Sequence, residues 1–245
     1  MTDPARRALL AAIAALPACG ALGPASAPAL DAPRGPLPAP TLRVGDRWRY
    51  RLLDVRADRV VANPVWELVD TAPELRMRVT TGLPEVPPFD EVFASAWSAR
   101  AESLYGHVFR FDAPVPIVPV PIEAGRGSGT TTVTHPHPVT GKRLRWSQRL
   151  EVGEWSSIEV PAGRFDALRI ERRIAFDHPD GGRNSAWRID TLWYAPRVGR
   201  WVRRDQRGEY ISDGTVAGTP AEGVQGQDDV LRLELTAFVP SPVAG

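Results

Sequence analysis

The chain has 245 residues with 30 basic and 29 acidic side chains, so it is close to neutral. That balance gives no electrostatic footprint for nucleic acid and no polybasic supplement for a membrane surface. The single cysteine, Cys19, excludes an intramolecular disulfide, and the 25 prolines argue against long helices.

The first 18 residues have the build of an export signal. Arg6 and Arg7 form a positive start, and 8–16 (ALLAAIAAL) run apolar without a break. The run is much shorter than the roughly 20 residues that a spanning helix needs. It ends Leu16-Pro17-Ala18-Cys19-Gly20. This either closes an ordinary signal or, as its order suggests, resembles the lipobox of bacterial lipoproteins. Pro17 departs from the small or hydroxyl residue usual at its position. The resemblance implies that Cys19 becomes the mature N-terminus and carries acyl chains. Two or more chains anchor a protein stably, whereas one binds only marginally. Gly20 lacks the aspartate that signals inner-membrane retention in well-studied Gram-negative lipoproteins. The implied location is the outer membrane, facing the periplasm. Loss of 1–18 removes Arg6, Arg7 and Asp3 and leaves acidic and basic residues equal in number.

Residues 19–40 read as a lipidated, disordered linker, Pro- and Ala-rich with no periodic apolar pattern. In polyproline II such a segment could hold a domain up to roughly 60 Å from a bilayer.

Residues 41–240 are predicted to form one β-rich domain, all-β and antiparallel, a sandwich or a partly open barrel. Over 42–53, Leu42, Val44, Trp48, Tyr50 and Leu52 alternate with Arg43, Arg47, Arg49 and Arg51. This is the period of a half-buried strand. Leu75, Met77 and Val79 repeat the pattern, as do Leu231, Leu233 and Leu235. Pro161-Ala162-Gly163, Pro179 to Gly182 and Pro196 to Gly199 are turn signals. They divide 154–210 into a four-stranded meander. An echo between Gly45–Tyr50 and Gly141–Trp146 allows two related halves, 41–111 and 138–240, joined across 112–140. The Gly-rich stretch 212–229 reads as a polar loop.

Two motifs stand out: Val160-Pro161-Ala162-Gly163-Arg164-Phe165-Asp166-Ala167, and Trp193-Tyr194-Ala195-Pro196-Arg197-Val198-Gly199-Arg200-Trp201-Val202. With Val44–Tyr50 they resemble a group of uncharacterised β-rich envelope proteins, many of them lipoproteins. The resemblance implies an antiparallel fold akin to the periplasmic lipoprotein carriers, and it implies no catalytic residues.

Candidates for chemistry are few. His135-Pro136-His137 pairs two imidazoles without an identifiable third ligand, so no metal site is expected. Asp177, His178 and Asp180 could form an acid–base cluster, although they lie on a predicted hairpin turn. Asp90-Glu91 is an acidic pair without an evident partner. Arg200, Arg203, Arg204 and Arg207 read as a charged outer face. The glycines at 125–129 lack a phosphate-loop ending, and no Gly-x-Ser-x-Gly elbow occurs. Tryptophan is in excess, with eight residues. They either fill a core or line an apolar pocket, with Trp48, Tyr50, Trp146 and Trp193 placed to line one. The expected function is non-enzymatic, without a cofactor: a membrane-anchored lipoprotein whose β domain binds an envelope protein or an apolar ligand. The alternative is an envelope hydrolase using Asp177, His178 and Asp180.

Overall fold

A computed structural model describes residues 35–104, 107–179, 183, 185–216 and 219–242. Cys19, the signal and the tether up to residue 34 lie outside the described residues. Fourteen strands are described: β1 (Arg47–Asp54), β2 (Arg59–Ala62), β3 (Val65–Asp70), β4 (Leu75–Thr80), β5 (Phe89–Ser95), β6 (Ser98–Leu104), β7 (His107–Pro116), β8 (Thr131–Pro136), β9 (Arg143–Val160), β10 (Gly163–Phe176), β11 (Ser185–Ala195), β12 (Arg200–Val216), β13 (Thr219–Gln227) and β14 (Leu231–Val239). None of the described residues forms an α-helix.

All pairings are antiparallel, and one sheet runs β7-β6-β5-β4-β3-β1-β14-β12-β11-β10-β9-β8. β2 pairs with β1 and β13 with β12. Both runs of the sequence echo therefore belong to one sheet, the first in β1 and the second leading into β9. The meander expected over 154–210 is present as β9 to β12. Alternation sets the inward face: Trp48 and Tyr50 on β1, Met77 and Val79 on β4, Leu233 and Leu235 on β14 are buried. The stretch 212–229 departs from the expected loop. β12 continues to Val216 and pairs back with β13. Its glycines serve the hairpin: the Tyr210 ring lies where a Cβ on Gly226 would sit, with a ring carbon 2.3 Å from that position.

The path brings its two ends side by side without joining them in a main-chain ladder. Prolines account for this, because Pro114 and Pro116 on β7 and Pro136 on β8 have no N–H to donate. Side chains close the seam instead. Asp112 on β7 accepts from the Thr134 backbone N–H at 2.9 Å and from its hydroxyl at 2.7 Å. Arg143 reaches the same carboxylate at 3.2 Å. Gln148 on β9 donates to the Pro116 carbonyl. The result is a barrel, closed by ladders around most of its circumference and by side chains at one seam.

The chain joins the barrel at the end that carries the turn between β11 and β12. Leu37 exchanges two hydrogen bonds with Ile122, at 2.8 and 2.9 Å. Pro40 and Leu42 lie over Gly199, within 3.2 and 3.3 Å of where a Cβ would stand. Gly199 has φ 63°, so both its conformation and this close approach favour glycine. The Val160–Gly163 motif forms the β9–β10 turn at the same end, where the Ala162 N–H donates to the Leu235 carbonyl at 3.0 Å.

Hydrogen bonds from the Thr134 hydroxyl and backbone hold the Asp112 carboxyl below its usual range. Its contribution to the seam is complete above the ordinary carboxylate range and is lost as pH falls through the lowered value. Asp112→Ala is expected to speed amide exchange of 131–136 roughly tenfold while β10 and β11 keep their protection. Hydrogen exchange with mass spectrometry reads both.

Candidate functional site

The barrel interior is organised in three levels along the strands. At the end where the chain enters, Arg200 stands inside a cage of tryptophans. Its guanidinium carbon lies 4.1 Å from the ring centre of Trp201, 5.0 Å from Trp97, 5.1 Å from Trp66 and 5.6 Å from Trp48. Its Nη1 contacts Met77 Sδ at 2.8 Å. Cation–π attraction strengthens when the cation is desolvated, and Arg200 is fully buried. Burial lowers its pKa. Burial likewise pushes the Tyr50 phenol up. The Tyr50 hydroxyl donates to the Trp201 carbonyl at 2.7 Å, and Trp48 Nε1 donates to the Val198 carbonyl at 2.8 Å. The second motif therefore supplies the cage's cation, one of its walls and an acceptor for another.

The middle level is a buried ion network. Arg172 on β10 grips Glu102 on β6 with both terminal nitrogens, at 2.8 and 2.9 Å. Gln148 on β9 accepts from Arg172 at 3.1 Å. Arg204 on β12 donates to Glu102 at 2.9 Å and also to Asp190 on β11. Asp190 further binds Arg188 and lies 3.4 Å from Arg172. All of these side chains are buried. Burial alone would raise the Glu102 and Asp190 carboxyls. Arg172 and Arg204 outweigh it at Glu102, and Arg188, Arg204 and Arg172 outweigh it at Asp190, so both fall below the ordinary range. The paired carboxylates in turn hold Arg204 above its usual value against its burial.

The third level is aromatic. Trp146 packs with Phe109, Phe111 and Phe176 at ring-centre distances of 5.5, 5.0 and 5.3 Å. His135 lies 4.8 Å from Phe109, and burial lowers its pKa.

The residues singled out from sequence separate accordingly. Trp48 and Tyr50 share the cage level, Trp146 belongs to the third level, and Trp193 is on the outer wall under Arg203, 4.6 Å away. The two imidazoles of 135–137 do different jobs. His135 packs inward, whereas His137 Nδ1 accepts from the N–H groups of Val139 and Thr140, each at 3.1 Å. No group of three or more His, Cys, Asp or Glu able to hold a metal ion occurs among the described residues. Asp177 accepts from the Arg145 N–H at 2.9 Å, and His178 is buried 5.7 Å from the Phe176 ring. Asp180 lies outside the described residues. Asp90 and Glu91, read as an acidic pair without a partner, both have partners. Asp90 pairs with Arg78, and Glu91 accepts from Trp66 Nε1 at 2.9 Å and from the Ser103 hydroxyl at 2.5 Å. The arginines of β12 correct the expectation of a single charged outer face. Arg203 and Arg207 point out, but Arg200 and Arg204 are buried.

The network was missed in the sequence although a signal existed. Arg172 stands between Ile170 and Ile174 in the apolar phase of β10, and Arg188 and Asp190 stand between Ala186 and Leu192 in that of β11. A charge in the inward phase of a strand marks a buried ion pair.

No protein-family model matches the chain, and no curated protein is significantly similar to it. Two solved structures are similar. One is a candidate lipoprotein from Parabacteroides distasonis ATCC 8503, 16% identical, with a TM-score of 0.48 over 83% of this chain and 97% of that one. The other is a candidate exported protein with a YmcC-like fold from Bacteroides fragilis NCTC 9343, 12% identical, with a TM-score of 0.48 over 84% of this chain and 99% of that one.

Removing one carboxylate would leave buried guanidinium groups uncompensated. Asp190→Asn is expected to cost about 3–5 kcal/mol in urea unfolding. Because the folded carboxyls titrate low, the network's contribution is complete above the ordinary carboxylate range and is lost as pH falls. The variant's stability should therefore depend less on acid than that of the wild type.

Proposed function

We propose that the chain is a lipid-anchored envelope protein. In this reading it is held at the outer membrane by acylated Cys19, and its barrel acts without catalysis by presenting its outer surface to a protein partner. The observation that carries the reading is the packing of the described interior. The tryptophans surround a cation of the chain's own, and the converging carboxylates and guanidinium groups are closed onto one another out of contact with solvent. An interior so filled favours the protein-partner reading over a carrier that holds an apolar ligand among Trp48, Tyr50 and Trp146. It also leaves the exterior as the working surface. The hydrolase alternative gains no support from Asp177, whose carboxylate caps the backbone of β9.

The anchor reading rests on Arg6, Arg7, the apolar run to Leu16 and the Leu-Pro-Ala-Cys ending. The described chain suits it, because residues 37–42 meet the barrel at one end, beside Ile122 and Gly199. Metabolic labelling with a clickable fatty acid tests it. The wild type is expected to carry label and to fractionate with the outer membrane, and Cys19→Ser to lose the label while remaining exported. An unlabelled wild type would sink the anchor.

A further inference from the structure

The outer wall carries one large aromatic side chain that the core does not explain. Trp187, near the start of β11, is 43% exposed. It borders a groove of about 390 Å³ lined by Arg56, Ile189, Arg207, Glu209, Gln227 and Val230, among others. The groove lies on the outer face of β11 and β12, between the β1–β2 turn and the segment joining β13 to β14. Val55 and Val60 of that turn region are also exposed, and the Val55 N–H donates to the Val230 carbonyl at 2.8 Å.

Two features give the groove a sign. Arg207 has no ion-pair or hydrogen-bond partner among the described residues, and Arg56 donates to the neutral Gln227 amide at 2.7 Å. Glu209, beside Trp187 in the strand register, accepts from the neutral Gln225 amide at 3.1 Å and keeps its charge, so the two guanidinium groups stand in the groove against one carboxylate that pairs with neither. Two guanidinium groups thus face solvent beside an exposed indole with no carboxylate matched to them. Trp and Arg are the residues that most often carry the binding energy of protein interfaces. Position adds to this. Trp187 is eight residues along β11 from Ala195, roughly 26 Å from the end where the chain arrives.

We propose that this groove docks an acidic, extended segment of a partner protein, with an apolar side chain seated on Trp187 and carboxylates on Arg207 and Arg56. This rests on the partner-binding reading above and names its surface. The test uses the full chain in detergent and short fluorescein-labelled peptides, one alternating Glu and Leu, the other Lys and Leu. The Glu–Leu peptide is expected to bind and to shield Trp187 from acrylamide quenching. Its affinity should fall at least tenfold in about 0.5 M salt, because exposed charge pairs are screened. Trp187→Ala and Arg207→Glu should each weaken it at least tenfold, and Arg207→Lys should retain most of it. Both positions are on the outer wall, so unchanged urea midpoints will show that these variants remain folded. Equal binding of the Lys–Leu peptide, no binding of the Glu–Leu peptide, or indifference to both substitutions would overturn the proposal. So would anionic phosphatidylglycerol vesicles shielding Trp187 where the Glu–Leu peptide does not, since that outcome assigns the surface to lipid. Fatty-acid label on the same preparation reads the anchor independently.

Discussion

The grip of Arg172 on Glu102 is the interaction on which the rest of the barrel depends. Glu102 comes from β6, in the first half of the chain, and its cations come from β10 and β12, in the second. These strands are far apart along the sheet, so the ion network is a strut across the interior rather than a link between neighbours. A buried charge is tolerated only when partnered, and Glu102, Arg172, Arg204 and Asp190 are each partnered by groups from other strands. The network therefore fixes which walls face each other and at what register. A merely apolar interior would accept several registers at similar cost.

That strut matters more because the sheet does not close on itself with a ladder. Prolines on β7 and β8 remove the donors that would pair the last two edges, and the same prolines deny those edges to other chains. Asp112 replaces a main-chain acceptor, while Gln148 joins the seam to the network by donating to Pro116 and accepting from Arg172. The two least conventional features of the barrel, an unladdered seam and a charged interior, are thus physically connected.

The cage around Arg200 bears on function by what it fills. Aromatic surfaces that could receive a ligand are turned onto the chain's own guanidinium. In the proposed reading recognition falls to the exterior, where Trp187 is exposed and Arg207 has no ion-pair partner among the described residues.

Much of the fold was legible in residue order. Period-two alternation in 47–54, 75–80 and 231–239, together with turn chemistry at Gly163 and Gly199, specified antiparallel strands and the meander of β9 to β12, because side-chain parity and positive φ are local properties. The positive start, the apolar run and the Leu-Pro-Ala-Cys ending that suggest an anchor at Cys19 are likewise patterns of adjacent residues. The hairpin at 209–227 was not, since its glycines suit a loop equally well until Tyr210 lies across Gly226. Nor was the fate of the β12 arginines. Arg200 and Arg204 share the strand phase of buried Val202, and Arg203 and Arg207 the other, but only the strands across the interior supply the carboxylates and rings that let the first two be buried. Local sequence determined that there would be strands and where they turn. Tertiary structure alone decided which charges meet, because partners seventy and a hundred residues apart, such as Glu102 with Arg172 and Arg204, are joined only by the closing of the sheet.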